Sequence, residues 1–104
     1  MINNPKITSR MESLNELATI LSEINNPSEL EVLLKEILTP KERSDLVLRW
    51  QLMKELYAGE TQRKIASRHK ISLCKITRGS KILKKNDSVS LEILKELYPD
   101  KKII

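Results

Sequence analysis

The stretch TQRKIASRHKISLCKITRGSKILKK, residues 61–85, decides the fold of this chain. It holds nine Lys or Arg residues and no Asp or Glu, whereas the whole chain has a net charge of +5, so the remainder is acidic overall. A basic face on an acidic body is typical of a nucleic-acid-binding protein. A merely solvated helix would interleave acidic residues for solubility and for pairing along the helix, and we therefore favour a binding surface.

Composition limits the class of protein. The chain has 104 residues with two glycines, four prolines and no Phe, which predicts one all-α domain over residues 1–104 with an aliphatic core. A single cysteine, Cys74, excludes an internal disulfide and a Cys-based zinc site. No apolar run approaches the ~18 residues of a membrane helix, and the N-terminus has no signal-type stretch. We therefore expect a soluble, cytoplasmic protein with no membrane partner.

Six helices are predicted from repeated start signals. The expected N-caps are Ser9, Asn26, Thr39, Thr61, Ser72 and either Asp87 or Ser88. The third helix, about residues 40–58, is the longest and is apolar nearly all round, which predicts burial against a second subunit. Gly59 is its expected stop signal, Pro99 ends the last helix, and the tail DKKII is expected to fray.

Residues 61–84 form a candidate helix-turn-helix. Two short basic helices are joined by a tight turn, with Ile65, Ala66, Ile71 and Ile76 placed to pack between them. Lys70 stands where such turns often use glycine. The residues expected to contact DNA are Gln62, Arg63, Leu73, Cys74, Lys75, Thr77, Lys81 and Lys84, with Arg63 directed to a guanine edge and Gln62, Lys81, Lys84 and the neighbouring Lys85 to phosphates.

Three segments resemble the Trp repressor family: LTPKER at 38–43, YAGETQRKIA at 57–66 and KITRGSKILKK at 75–85. The similarity runs from about Leu34 to Leu97. It implies an intertwined homodimer of six-helix chains, a transcriptional repressor that binds a double-stranded DNA operator when the co-repressor L-tryptophan is bound. It implies no metal, no other cofactor and no catalytic residue.

The resemblance also implies an effector pocket. Its residues are Leu38, Thr39, Arg49, Arg78, Gly79 and Ile82. Arg49 and Arg78 match the two arginines that sandwich the indole ring in the family, and guanidinium planes stack well on aromatic faces. Leu38 and Thr39 of the other subunit would meet the amino and carboxylate groups. A Cβ at Gly79 would intrude where the indole approaches the helix, although a helix-packing glycine is the alternative.

Three features depart from the family pattern. Ile82 stands where the family's best-known member has a serine near the indole nitrogen, and the segment before Gln62 is one residue shorter than is usual in the family. Trp50 follows Arg49 directly, and it is either a core aromatic or an indole that fills part of the pocket. These departures keep open a related DNA-binding regulator with another effector or none.

Two further alternatives belong to other classes. A helical interaction protein would use the basic face to bind an acidic partner. An enzyme has little support, because no phosphate loop, metal spacing or nucleophile motif is present. The only histidine, His69, has no carboxylate partner close in sequence, and we expect it on the surface.

Overall fold

The computed structural model describes residues 9–100, and this part of the chain is entirely helical, with no strand. The six helices are α1 Arg10–Glu23, α2 Pro27–Ile37, α3 Pro40–Tyr57, α4 Gln62–His69, α5 Leu73–Leu83 and α6 Val89–Leu97. The all-α class and all six predicted helices are confirmed, with boundaries within about a residue of those expected. The tail expected to fray is residues 100–104, and all of it except Asp100 lies outside the described residues.

Local capping explains where most of the helices begin. The clearest case is α3, where the Glu42 amide donates to Thr39 Oγ1 at 3.2 Å and the Thr39 amide donates to Glu42 Oε1 at 2.8 Å. This reciprocal pair satisfies two amides that the first helical turn leaves unpaired. Side chains also cap α1, α2, α4 and α6, through Ser9, Asn26, Thr61 and Ser88.

Ser72 is the exception among the predicted caps. It has extended backbone at the start of α5, but its side chain makes no capping hydrogen bond. The prediction was right about the boundary and wrong about the bond. Of the two candidates for the start of α6, Ser88 is the cap, and its hydroxyl accepts from the Leu91 amide at 3.1 Å.

The chain divides into two compact units after Arg43. In the first unit neither α1 nor α2 contains a buried residue. Arg43 closes the end of α2, where its Nη1 donates to the carbonyls of Lys35 and Leu38 at 3.0 and 2.9 Å. The single domain expected over residues 1–104 stays a prediction.

The second unit contains a core in two parts. The first cluster consists of Leu52, Ile65 and Ile76, and the residues packed around it are Leu48, Leu56, Ala66 and Ile71. The second consists of Tyr57, Leu83 and Leu94, surrounded by Trp50, Met53, Leu56 and Leu91. Since Leu56 of α3 contacts both clusters, α3 is the element on which α4, α5 and α6 are assembled. Tyr57 adds a hydrogen bond from its hydroxyl to the Tyr98 carbonyl at 3.0 Å.

Two left-handed residues turn the chain before and after α4. Gly59 has φ 96° and follows α3, and the Glu60 amide donates back to the Glu55 carbonyl at 3.2 Å. Lys70 has φ 55° and ψ 48°, and the Ile71 amide that follows it donates to the Ala66 carbonyl at 3.2 Å. Both are helix-terminating motifs that suit glycine. The stop at Gly59 and the left-handed geometry considered for Lys70 are confirmed.

Candidate functional site

Helices α4 and α5 form the helix-turn-helix and bury its predicted inward residues. Ile65 and Ile76 are completely buried against Leu52, and Ala66 and Ile71 pack around them. A side-chain hydrogen bond also links the two helices, because Thr77 Oγ1 donates to Gln62 Oε1 at 3.2 Å. The apolar contacts together with this bond fix how the second helix is presented to solvent.

The face of α5 opposite its buried side is exposed. Ile76, Gly79 and Leu83 are buried on one side of the helix, whereas Lys75, Arg78 and Lys81 are exposed. Of the residues predicted to contact DNA, Gln62 and Thr77 are half-buried and the others are exposed, namely Arg63, Leu73, Cys74, Lys75, Lys81 and Lys84. The exposed residues are accessible to a large ligand. Gln62, which is expected to hold a phosphate, already accepts a hydrogen bond from Thr77 through its Oε1 atom.

One of the nine basic residues of segment 61–85 is already paired with acidic residues. Arg68 contacts Glu55 of α3 and forms a two-pronged ion pair with Glu60, which precedes α4. The other eight basic residues make no ion pair within residues 9–100. A charge counted from residues 61–85 alone is therefore too high, because Glu55 and Glu60, just outside the segment, neutralise Arg68.

Glu55 is the centre of a buried polar cluster that sequence reasoning missed. The residue is only 7% exposed, and its carboxylate accepts from Gln51 Nε2 at 2.7 Å, from Arg68, and from His69 Nε2 at 2.9 Å. Burial alone would raise the pKa of Glu55, but the hydrogen bonds from Gln51 and His69, with the charges of His69 and Arg68, lower it below its ordinary value. The carboxylate is therefore held ionised.

His69 is a correction to the sequence-based expectation. Its side chain is 21% exposed and lies against Glu55, so it is neither on the open surface nor without a carboxylate partner. The pair is separated by fourteen residues in sequence and meets only because α4 folds back on α3. The sequence did carry a signal for such a partner. Glu55 is the one acidic residue in the mostly apolar stretch 46–57, and a buried carboxylate requires hydrogen-bond partners.

A cavity of about 370 Å³ lies between α3 and α5, within the size range of small-molecule sites. It brings together Arg49 and Arg78 with Gly79 and Ile82, four of the six predicted effector residues. Its other lining residues are Asp45, Leu48, Leu52, Met53, Cys74 and Lys75. A lining that combines apolar side chains with three cations and one carboxylate suits a flat apolar ligand that carries a carboxylate group.

The additional lining residues on α3 could have been found from sequence. Asp45, Leu48, Leu52 and Met53 lie three or four positions from Arg49 or from each other, so they share one helix face with it. Arg78 lines this cavity and also a shallow groove on the exposed face of α5, with Leu73, Thr77 and Lys81. A ligand that contacts Arg78 would therefore act on a residue of the exposed face.

Gly79 has a packing reason as well as a place in the cavity lining. A Cβ added to it would lie 3.3 Å from Leu56 Cδ1 and 3.9 Å from Met53 Cγ. The first of these separations is tighter than ordinary van der Waals contact, so the glycine lets α5 approach α3 closely. The role of Gly79 in binding an indole stays a prediction.

Leu38 and Thr39 belong to the first unit, and the roles expected of them across a subunit interface stay predictions. The Leu38 carbonyl accepts from Arg43 at 2.9 Å and retains a second lone pair. Thr39 Oγ1 accepts from the Glu42 amide, which leaves the hydroxyl proton available to a carboxylate. Their chemistry is compatible with the two ends of an amino acid.

Trp50 packs with the Tyr57, Leu83 and Leu94 cluster and is not among the residues that line the α3–α5 cavity. Of the two interpretations of this residue, the core aromatic is the one that the structure supports. The cavity between Arg49 and Arg78 is therefore not filled by the protein's own indole.

Other kinds of site were also considered within residues 9–100. This region has no group of His, Cys, Asp and Glu residues arranged to hold a metal ion. None of its helices has both the length and the apolar character needed to cross a membrane. Cys74 is exposed and unpaired with another cysteine.

Comparison with known proteins identifies relatives. Residues 12–98 match the family described as "Trp repressor protein". The chain is 41% identical over 56 residues to proteins named "Trp operon repressor homolog" from Chlamydia trachomatis serovar L2 and from serovar D. The matched segment is 53% of this chain and 60% of each relative, so it spans less than two thirds of the relatives' length. No solved structure gives a significant match.

The family match extends from α1 to the end of α6 and includes both the helix-turn-helix and the α3–α5 cavity. The resemblance found in three short segments is thus confirmed over most of the chain. The match gives no support to the enzyme alternative. The chain belongs to the Trp repressor family.

Proposed function

We propose that the protein is a homodimeric repressor that binds double-stranded operator DNA and is activated by L-tryptophan bound in the α3–α5 cavity of each protomer. The observation that carries the proposal is the position of Arg78. It lines the cavity together with Arg49, and it also borders the exposed face of α5. The same side chain thus belongs to the proposed ligand site and to the surface that would contact DNA.

The cavity lining is suited to tryptophan. Two guanidinium groups provide flat cationic surfaces for an indole and donors for a carboxylate, while Leu48, Leu52, Met53 and Ile82 provide apolar contacts. Because α5 forms one wall, a ligand that fills the space limits how closely α5 approaches α3. In a dimer this would set the separation of two recognition helices, which must match major grooves about 34 Å apart.

The proposed DNA contacts divide by chemistry. Leu73, Cys74, Lys75 and Thr77 lie in the first half of α5, the part of a recognition helix that reaches base edges. Arg63 can donate two parallel hydrogen bonds to a guanine, and we expect Gln62, Lys81 and Lys84 to contact phosphates. DNA binding should therefore weaken steeply with salt.

Calorimetry and gel-shift titration test the proposal together. Arg78→Ala should weaken both L-tryptophan binding and operator binding, because both surfaces share this residue, and the two affinities are linked thermodynamically. Arg63→Ala is the matched control: it should weaken operator binding but leave the tryptophan affinity of the free protein unchanged. Unaltered tryptophan affinity in Arg78→Ala would refute the pocket assignment.

Ile82 favours a second candidate, a related DNA-binding regulator with another effector or none. Its apolar side chain lines the cavity and cannot accept a hydrogen bond from an indole N–H. Calorimetry with L-tryptophan and with analogues that lack this N–H separates the candidates. Absence of tryptophan binding, together with operator binding that needs no ligand, would establish the alternative.

A further inference from the structure

We propose that Glu55 is a positioning residue for DNA binding, which holds the first helix of the helix-turn-helix on α3 through Arg68 and His69 without contacting DNA itself. The inference rests on the proposed function, since it assigns a role in DNA binding to a residue outside the binding surface. Its basis is the convergence of two consecutive side chains of α4 on one buried carboxylate of α3.

The geometry constrains α4 in two ways. Arg68 and His69 form the last turn of α4, so their bonds to Glu55 hold the C-terminal end of the helix. Ile65, one turn earlier, is completely buried against Leu52 of the same α3. An apolar contact resists separation but allows sliding and rotation, whereas directional hydrogen bonds to an ionised carboxylate restrict both.

The polar groups around Glu55 also satisfy one another's hydrogen bonds. Gln51, one turn before Glu55 on α3, donates to the same carboxylate. Glu60 accepts from both Nη atoms of Arg68, and Nη1 also donates to Glu55. No buried side-chain polar atom in the described part of the chain lacks a hydrogen-bond partner. Fully satisfied polar clusters of this kind rigidify and orient the elements that they join.

The restraint on α4 reaches the proposed DNA contacts through the helix itself. Gln62 and Arg63 are at the opposite end of this eight-residue helix, and Gln62 is bonded to Thr77 of α5. A rotation of α4 about its axis would move Arg63 and disturb the bond to Thr77. Glu55 therefore sets the register of both helices although it is buried.

The Glu55→Gln variant provides a test, because long-range electrostatics and positioning of α4 predict opposite changes in DNA affinity. Removing a negative charge should strengthen the binding of polyanionic DNA if only long-range electrostatics matter. If Glu55 positions α4, operator affinity should instead fall about tenfold, because Gln is neutral and one of the two acceptor oxygens becomes a donor that faces other donors. Binding to a non-specific duplex should stay at the wild-type level or rise slightly. Glu96→Gln, an exposed carboxylate on α6, is the control for the change in charge.

The salt dependence of binding separates positioning from a phosphate contact. Arg68→Gln should lower operator affinity while the slope of log affinity against log salt stays unchanged. A lost phosphate contact would reduce that slope by about 0.9 for each contact. The Glu55→Gln and Arg68→Gln effects should also be less than additive, since both remove one linkage. Additive effects, a reduced slope for Arg68→Gln, or an unweakened operator affinity for Glu55→Gln would each overturn the proposal.

Amide hydrogen exchange without DNA keeps this test independent of the proposed function. Glu55→Gln should accelerate exchange in residues 62–69 and leave residues 89–97 unchanged, at a temperature where circular dichroism shows the variant folded. Unchanged exchange in α4 would refute the restraint whatever the DNA result. If the wild-type protein binds no duplex, the proposed function fails and the role of Glu55 in DNA binding fails with it, while the exchange data still report whether α4 is held.

Discussion

The two units of the chain differ in where their apolar side chains lie. The second unit buries Leu52, Ile65, Ile76 and Leu94 almost completely within its own contacts. In the first unit no residue of α1 or α2 is fully buried, and Met11 and Leu14 are 76% and 62% exposed. Large apolar residues repeated on helix faces without a covering surface mark an interaction site. The comparison indicates that the second unit has a core built within one chain and that α1 and α2 have none. Large apolar side chains are exposed in both units, Val47 of α3 at 67% among them, and the proposed homodimer would cover part of them.

The largest expected effect tests the claim about the second unit. Ile76→Ala removes a completely buried side chain from the contact of α5 with α3 and α4. We expect the free energy of unfolding to fall by about 2–5 kcal/mol, through lost burial and the cavity that remains. Urea denaturation measures it, and Val89→Ala, at an exposed position of α6, should change stability by less than about 0.5 kcal/mol. Equal losses in both variants would contradict the assigned core.

The next effect tests the claim about the first unit. Leu14→Glu places a charge on the exposed apolar face of α1. If that face is covered by a second copy, dimerisation should weaken by about 1.5–3 kcal/mol or more, because the burial of one leucine is lost. Sedimentation velocity over a concentration series measures it. Leu73→Glu is the matched control, since Leu73 is also an exposed leucine but lies on the proposed DNA face, and its dimer should be unaffected.

The helices were predictable because their signals are local. The Thr39–Glu42 capping pair, the left-handed Gly59 and the cap at Thr61 each depend on residues within four positions of one another. The inward positions of the helix-turn-helix also followed from helical spacing. Ser72 shows the limit of such signals, because the residue type favours a cap but does not ensure the bond.

The candidate site was less accessible to sequence reasoning because it joins distant residues. Arg49 and Arg78 were paired only through the resemblance to a family, and no spacing rule relates two residues on different helices. The same is true of Glu55 and His69, whose contact depends on how α4 returns along α3. Burial was the missing information, since a carboxylate placed inside a core must find partners whose sequence positions the packing alone determines.

A smaller effect concerns acid stability of the second unit. The pKa of Glu55 is lowered from its ordinary value of 4.5, because hydrogen bonds from Gln51 and His69 outweigh the effect of burial. The ionised form therefore stabilises the folded state fully above that value, and this contribution is lost as pH falls through the lowered pKa. The stability difference between wild type and Glu55→Gln should shrink below about pH 4.5. A difference that stayed constant from pH 7 to pH 3 in urea titrations would contradict it.

The smallest effect compares the two turns that flank α4 within the second unit. Gly59 and Lys70 both end a helix with positive φ, but only the first is a glycine. Lys70→Gly should raise the free energy of unfolding by about 0.5–1 kcal/mol, because relief of left-handed strain exceeds the added entropy of the unfolded chain. Gly59→Ala should lower it by about 1–2 kcal/mol for the converse reason. Both shifts should be independent of protein concentration once the dimer is saturated, since each change acts on the local backbone of one chain. A loss of stability in Lys70→Gly would mean that the lysine side chain makes a contribution beyond its backbone conformation.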